Sequence, residues 1–207
     1  MQIRNLAVLV MACAPLFGTP VILNPSFEAG PSPGGFTTVN FGGGGVQDWT
    51  ITGHSVDYIG SYWQAADGVR SVDLNGNGQG GVSQLVSGFA IGAYYELSFY
   101  LSGNPDNLPV VKTVRVSVTG EADQDYTFDT TGHNRTSMGW EPHVFAFYAD
   151  TTDLTITFAS QDAGFYGVAL DNLSITEDLS PLGIPEPATM ALMGAGLLAL
   201  ALVRRRV

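Results

Sequence analysis

Four side chains in one short stretch have the composition of a sugar-binding surface. They are Tyr58, Tyr62, Trp63 and Gln64. Saccharide binding requires aromatic rings that stack on C–H surfaces and polar groups that meet hydroxyls. We therefore predict that these four residues contact a ligand, with Trp63 as the first candidate. The alternative is that the aromatic rings belong to the core of a β-domain.

A second stretch matches the first half of a calcium-binding loop. Residues Asp73 to Gly78 read DLNGNG and fit the pattern D-x-[DN]-x-[DN]-G. However, the twelfth position is Gln84, where an EF-hand requires a bidentate Glu, and no helix is predicted on either side. The stretch therefore favours a tight glycine-rich turn.

Motifs of known enzymes are missing from the sequence. It contains no G-x-S-x-G elbow, and His54, His133 and His143 do not have H-x-x-x-H spacing. A glycosidase needs two carboxylates about 5 to 9 Å apart. Because residues 20–184 contain eighteen acidic side chains, some such pair is expected by chance. We therefore predict that the protein is not an enzyme.

The elements that position these residues are predicted to be β-strands. Apolar and polar residues alternate with a period of two in most of the apolar segments, which is typical of strands with one buried face. Strands are predicted at Val21–Asn24, around Trp49–Thr52, and at Ser55–Ile59, Arg70–Leu74, Gly81–Val86, Tyr94–Leu101, Val114–Val118, His143–Phe147, Leu154–Phe158 and Val168–Ile175. A flexible glycine-rich segment extending to Gly45 separates the first two. About ten short strands without an amphipathic helix predict an all-β jelly-roll sandwich.

Charge limits the classes of partner. Residues 20–184 contain four basic and eighteen acidic side chains, a net charge of −14. Such a charge argues against nucleic acid or anionic lipid as partners. It is compatible with neutral glycans, with metal cations or simply with solubility. The only cysteine, Cys13, lies in the predicted leader, so no disulfide is expected in the folded body.

The first 19 residues resemble a secretory signal. Arg4 precedes an apolar run, and small residues follow around Ala12 and Ala14. We predict a signal peptide over residues 1–19, with its cleavage point left open. A lipoprotein, acylated at Cys13, is the alternative.

The last 23 residues combine three features in a fixed order. Pro185-Glu186-Pro187 is followed by a largely apolar run, Ala188 to Val203, and then by Arg204, Arg205 and Arg206. A sixteen-residue helix is about 24 Å long, short of a hydrocarbon core of about 30 Å. The arginines place its C-terminus in the cytoplasm, so the body is predicted to be exported.

This order of features resembles the PEP-CTERM sorting signal of Gram-negative bacteria that produce extracellular polysaccharide. The resemblance implies processing by the membrane peptidase exosortase, with Pro185, Glu186 and Pro187 as the recognition element. Residues 188–203 would then be a transient inner-membrane anchor, residues 177–184 a linker and residues 20–176 the folded domain. The alternative is a plain C-terminal membrane anchor. In both cases the folded domain is predicted to be exported.

The body also resembles a family. The resemblance is carried by the segments NPSFE at Asn24–Glu28, DYIGSYWQAADGVRSVDLNG at Asp57–Gly76, YELSFYLSGNPD at Tyr95–Asp106 and LDNLSI at Leu170–Ile175, and DGVRSVDLNG is its most specific part. They are similar to the bacterial choice-of-anchor C branch of the galactose-binding-like jelly rolls, which is related to a plant cell-wall family of unknown function. Polysaccharide binding is suspected for relatives in this family, and no catalytic residues are assigned to them. The resemblance therefore implies a domain that binds polysaccharide without catalysis.

The same resemblance implies a structural Ca²⁺. Many carbohydrate-binding jelly rolls hold this ion between a Glu near the first strand and an Asp near the last, and Glu28 and Asp171 match those positions. Asp73 would add an oxygen to the six to eight that Ca²⁺ prefers. The alternative is that Glu28 and Asp171 only cap turns.

These observations predict a non-catalytic protein of the cell surface or extracellular matrix that binds carbohydrate. The second hypothesis is a structural envelope protein with protein partners only, and a polysaccharide-active enzyme ranks third.

Overall fold

A computed structural model describes residues 19–179 of the 207-residue chain. The predicted signal peptide lies almost entirely outside the described residues, and the sorting motif, the arginine cluster and the apolar helix lie wholly outside them. Between residues 19 and 179 no helix has the length and apolar character needed to cross a membrane.

Eleven β-strands make up the regular structure of the described residues. Their bounds are β1 Phe36–Asn40, β2 Thr50–Gly53, β3 Ser55–Ile59, β4 Ser71–Asp73, β5 Gly80–Ser87, β6 Tyr94–Gly103, β7 Val111–Val118, β8 Gln124–Asp129, β9 Glu141–Tyr148, β10 Asp153–Ser160 and β11 Val168–Asp178. Seven of the predicted strands appear within two residues of their predicted bounds.

The strands form two antiparallel sheets in jelly-roll order. The six-stranded sheet has the order β1-β3-β4-β11-β6-β9, and the five-stranded sheet has the order β2-β5-β10-β7-β8. Strands β4 to β11 alone give β4-β11-β6-β9 facing β5-β10-β7-β8, which is the eight-stranded jelly roll. Strands β1 and β3 extend one sheet and β2 the other. The predicted all-β jelly-roll sandwich is therefore confirmed.

The core lies between the two sheets and follows the alternation of the sequence. In β6, Leu97 and Phe99 are fully buried, whereas their neighbours on the other face are partly exposed. In β10, Ile156 and Phe158 face them across the sandwich, and the rings of Phe99 and Phe158 meet edge to face with centroids 5.1 Å apart. Burial of alternate residues in both sheets is what holds the sheets together.

Three predicted features of the chain differ from the structure. Val21–Asn24 is not a strand: the backbone N–H and C=O of Leu23 bond to the side-chain amide of Gln84, at 2.8 and 2.9 Å, instead of to a neighbouring strand. Strand β1 lies within the glycine-rich stretch that extends to Gly45, where no strand was predicted. Strand β8 was not predicted, because Phe128 is its only buried residue and the strand has no alternation of buried and exposed residues.

A second apolar layer covers the outer face of the six-stranded sheet. Residues 60–70, between β3 and β4, and residues 130–140, between β8 and β9, fold over this face. They bury Trp63 and Met138 against Ile59 and Ala169 of the sheet, with Tyr62 and Trp140 packed beside them. The candidate site lies in this layer.

Candidate functional site

Two carboxylates hold the loop of residues 60–70, which we call the β3–β4 loop. Oε1 of Glu28 accepts hydrogen bonds from the backbone N–H groups of residues 69 and 70, both at 2.7 Å. Oδ2 of Asp171 accepts hydrogen bonds from the N–H groups of residues 66 and 67, at 2.8 and 3.0 Å. The loop is therefore fixed from one side by the segment before β1 and from the other by β11.

Gly68 makes this double attachment possible. Its φ of +62° lies in the left-handed region, which L side chains rarely adopt. A Cβ atom at this position would lie 2.4 Å from Oε1 of Glu28. Only glycine lets the loop turn here while its next two N–H groups reach the carboxylate.

The same loop presents Gln64 to solvent. Its backbone N–H donates to the carbonyl oxygen of Arg135 at 2.8 Å, and its carbonyl oxygen accepts from the indole N–H of Trp140 at 2.8 Å. The side chain is exposed, and its amide has no hydrogen bond to another described residue. An amide with a fixed backbone and unused donors and acceptors is a ready partner for hydroxyl groups.

A groove of about 760 Å³ lies beside Gln64, and we call it the loop groove. It lies between the segment before β1 and the β3–β4 loop. Its lining residues are Ser32, Pro33, Gly34, Gly60, Ser61, Trp63, Gln64, Ala65, Gly68, Val69 and Arg70. This combination of an indole, hydroxyls, an amide and a guanidinium is suited to a polar ligand with C–H faces.

The structure separates the four predicted ligand-binding residues. Trp63 and Gln64 line the loop groove, although Trp63 is only 5% exposed and its indole N–H donates to Ser71 at 2.8 Å. Tyr62 lies on the other side of Trp63 and does not line the groove. Tyr58 is 1% exposed, belongs to the core between the sheets and donates its hydroxyl to the backbone carbonyl of Phe27. The pair of Trp63 and Gln64 is thus what remains of the predicted site in this groove.

A second cavity of about 250 Å³ lies behind Tyr62 and Trp63, and we call it the acidic cavity. Its lining residues are Phe36, Thr38, Asp57, Ile59, Tyr62, Trp63, Asp73, Gly76, Asn77, Asn104, Asp106, Phe165 and Tyr166. Sequence analysis did not identify this cavity. Its residues come from segments far apart in the chain, and only the β3–β4 register, which places Asp57 directly opposite Asp73, brings the two acids together.

Asp73 is fully buried at the base of the acidic cavity. Its Oδ1 accepts from the backbone N–H groups of Asn75 and Gly167, at 2.9 and 3.1 Å, and its Oδ2 accepts from the amide of Asn104 at 2.8 Å. Burial raises the pKa of Asp73 to about 8, against the effect of these donors.

The glycine-rich stretch after Asp73 forms a turn from residue 74 to residue 80. This turn closes with a backbone hydrogen bond from the N–H of Gly80 to the carbonyl oxygen of Leu74.

The three carboxylates predicted to hold Ca²⁺ do not form one group. Glu28 accepts from residues 69 and 70 of the β3–β4 loop and Asp171 from residues 66 and 67, whereas Asp73 uses both of its oxygens within the acidic cavity. Among residues 19–179 no three His, Cys, Asp or Glu side chains are placed to hold a metal ion together. The described residues do not fit a site built from these three side chains, so the Ca²⁺ assignment stays a prediction that experiment must test.

Burial also raises the pKa of Asp171 to about 7. Its N–H donors, which include residues 66 and 67, lower the pKa but do not offset the burial. The carboxylate of Asp171 thus caps a turn of the β3–β4 loop. Turn capping was the alternative to metal binding that the sequence left open.

The strand order defines this protein as a jelly-roll β-sandwich with a loop-lined groove on one sheet. The chain belongs to the family described as "Protein of unknown function (DUF642)", whose model matches residues 20–176. A second model, the PEP-CTERM protein-sorting motif, matches residues 183–206. Both resemblances seen in the sequence are thereby confirmed.

One curated relative is Halomucin of Haloquadratum walsbyi, which is 29% identical over 188 residues. The match covers 85% of this chain but only 2% of the length of Halomucin.

Solved structures with similar folds include carbohydrate-binding modules. TmCBM61 in complex with beta-1,4-galactotriose has a TM-score of 0.48 at 16% identity, covering 78% of this chain and 100% of that chain. The xylan-binding domain CBM22-1 of Xyn10C from Paenibacillus barcinonensis has a TM-score of 0.45 at 18% identity, covering 71% and 97%. A family 35 module from Clostridium thermocellum has a TM-score of 0.45 at 14% identity, covering 69% and 99%.

Proposed function

We propose that this chain is an exported, non-catalytic protein whose jelly-roll domain binds saccharide units of an extracellular polysaccharide in the loop groove. The observation that carries the proposal is the exposed side chain of Gln64, whose backbone is fixed on both sides and whose amide is unused, next to the indole of Trp63. Because the backbone of Gln64 is already fixed, only its side chain has to be ordered when the amide exchanges hydrogen bonds with sugar hydroxyls.

The rest of the groove supports the same class of ligand. Ser61 and Ser32 add hydroxyl groups, and Arg70 adds a cation at one end. Val69, which is 69% exposed, offers apolar surface of the kind that C–H faces of sugars cover, beside the mostly buried Trp63 and Pro33. Because the body carries a net charge of −14, a neutral polysaccharide is a better partner than nucleic acid.

The sorting motif supports export. A chain with a PEP-CTERM motif at residues 183–206 is expected to be processed by an exosortase after transient anchoring in the inner membrane. We propose the cell surface or the extracellular matrix as its destination, with Pro185, Glu186 and Pro187 read by the peptidase.

Titration calorimetry, guided by a glycan array with and without Ca²⁺, tests the saccharide proposal. Gln64→Ala is expected to weaken binding of the best array ligand about threefold to tenfold, because one or two hydrogen bonds to neutral groups are lost. Gln124→Ala is the matched control, since Gln124 is exposed on β8 in the other sheet. Absence of any saccharide binding would contradict the proposal. A protein partner captured in the presence of excess free sugar would favour a structural envelope protein instead.

A further inference from the structure

The acidic cavity has aromatic walls and a carboxylate floor. Phe36, Tyr62 and Tyr166 contribute rings, and the rings of Phe36 and Tyr62 meet edge to face with centroids 5.1 Å apart. Asp57 and Asp73 lie on the floor, opposite each other on adjacent strands. No lysine or arginine side chain is among the described residues that line the cavity.

Two of the three carboxylates that line the cavity already have both oxygens in hydrogen bonds. Both oxygens of Asp106 accept from the guanidinium of Arg135 at 2.8 Å, and the phenol of Tyr62 donates to one of them at 2.7 Å. Both oxygens of Asp73 accept from N–H groups. Neither carboxylate has an unused oxygen for a ligand.

Asp57 differs from both of them. Its Oδ1 accepts a hydrogen bond from the hydroxyl of Thr38, and no cation among the described residues lies within salt-bridge distance of its carboxyl group. Its Oδ2 has no hydrogen bond to another described residue, and Asp57 is among the residues that line the cavity. A half-buried carboxylate with one oxygen left without a partner is costly, which is consistent with the raised pKa of Asp57.

We propose that the acidic cavity binds the ammonium group of an amino-sugar residue, with Oδ2 of Asp57 accepting a hydrogen bond from the ammonium. This inference rests on the proposed saccharide binding and names a second subsite for it, on the opposite side of Trp63 from the loop groove. Trp63 lines both cavities, so the two lie next to each other.

The chemistry of the cavity selects this ligand class. An ammonium supplies a positive charge and a hydrogen-bond donor for the unused oxygen of Asp57. The ring of Tyr62 already has the guanidinium of Arg135 over it, 4.0 Å from the ring centroid, so a further cation–π contact is left to the other rings of the cavity. A volume of about 250 Å³ lies below the usual range for drug-sized ligands and suits a single small ring. An anionic sugar meets no cation here. A divalent metal meets only one carboxylate with an unused oxygen, whereas it prefers several.

Titration calorimetry of the full-length chain with a β-1,4-linked glucosamine tetramer, near neutral pH, tests the inference. The matched ligand is the N-acetylglucosamine tetramer, which has the same backbone without the charge. The matched variants are Asp57→Asn, which keeps an acceptor for Thr38, and Asp123→Asn, which removes the same charge from an exposed loop. Thermal unfolding of both variants establishes that each is folded.

We expect the glucosamine tetramer to bind more tightly than its N-acetylated form. Asp57→Asn is expected to weaken the glucosamine tetramer about 10- to 100-fold, the value of a hydrogen bond to a charged group, while Asp123→Asn leaves it unchanged. Equal binding of the two tetramers, or equal effects of the two variants, would overturn the inference. Equally tight binding of 1,4-diaminobutane would overturn the assignment to a sugar.

The inference and the proposed function fail in different ways. If only the inference is wrong, neutral saccharides still bind and Gln64→Ala still weakens them. If the proposed function is wrong, no saccharide binds, charged or neutral, and both proposals fall.

Discussion

Asp73 combines complete burial with three hydrogen bonds from N–H donors. The donors favour the ionised carboxylate, whereas the loss of hydration favours the neutral acid, and the charge of Asp57 on the adjacent strand acts in the same direction as burial. Burial has the larger effect, so the pKa is raised to about 8. Asp171 is raised to about 7 by the same cause.

These two acids make the stability of the domain depend on pH. An unfolded aspartate has a pKa of about 4, so between pH 4 and pH 8 the folded chain binds more protons than the unfolded chain. The favourable contribution is fully present below pH 4 and is lost as the pH rises through the folded pKa values. We therefore predict that the free energy of unfolding decreases from about pH 5 to pH 8, as measured by urea denaturation.

Asp73→Asn tests which residue is responsible for this decrease. The amide cannot titrate, so the slope between pH 5 and pH 8 is expected to become shallower. At pH 5 the variant is expected to lose about 1 kcal/mol, because a new amide N–H₂ group faces the amide of Asn104 where Oδ2 accepted its hydrogen bond. An unchanged slope would show that Asp73 stays ionised across this range.

Individual residues of the candidate site were only partly predictable. Tyr58 and Tyr62 are four positions apart in sequence, but β3 directs Tyr58 into the core, whereas Tyr62 lies in the loop beyond the strand. The alternation of β3 contains this information for Tyr58. It contains none for Asp57, because the role of Asp57 depends on which strand lies next to β3.

At the scale of elements, the β3–β4 loop connects both cavities to the sheet. It contributes Gln64 to the loop groove, Tyr62 to the acidic cavity and Trp63 to both. The carboxylates of Glu28 and Asp171 fix its second half by four hydrogen bonds. Any change in this attachment is therefore expected to alter the positions of the ligand-binding side chains in the same loop.

Glu28→Gln tests the attachment. The variant replaces a charged acceptor of two N–H groups by a neutral one, so we expect a loss of about 1 kcal/mol in the free energy of unfolding, discounted because Glu28 is exposed. Saccharide affinity in the loop groove is expected to fall as well. Chemical denaturation and calorimetry measure the two effects.

The same variant distinguishes a turn cap from a metal ligand. If Glu28 acts only through the loop N–H groups, the loss is the same in EDTA and in added Ca²⁺. If the loss appears only when Ca²⁺ is added, Glu28 is a metal ligand, as the family resemblance implied. Gln47→Glu, which adds a charge on an exposed neighbouring segment, controls for nonspecific effects of charge.

Strands with one clearly buried face were predictable, whereas two of the four edge strands were not predicted. In β6, β7 and β10 the alternation of burial covers the whole strand, which is why the sequence pattern located them. Strands β1 and β8 lie at the edges of the two sheets and bury one residue each. Such strands are specified by pairing with a neighbour, which a local pattern does not contain.

At the scale of the whole molecule, a strongly acidic sandwich is joined to a tail that contains the sorting motif. Strand β11, which carries Asp171, ends at Asp178, five residues before the matched sorting motif begins at residue 183. The jelly-roll class followed from counting strands and turns, but the strand order did not, because the pairing of β4 with β11, nearly a hundred residues apart, is a long-range contact. Long-range register of this kind is what sequence patterns leave open.

Replacement of the sorting tripeptide tests the destination of the protein. We expect the unmodified chain to leave the inner membrane and appear at the cell surface or in the medium with a C-terminus near Pro187, because exosortase would recognise the motif. A chain in which Pro185, Glu186 and Pro187 are replaced by alanine is expected to remain in the inner-membrane fraction at full C-terminal length. Cell fractionation and intact-mass measurement check both expectations.

The matched control replaces Ser180, Pro181 and Leu182 just before the motif and is expected to behave like the unmodified chain. Equal release of all three chains would show that the tripeptide is not the signal, while retention of all three would indicate a permanent anchor.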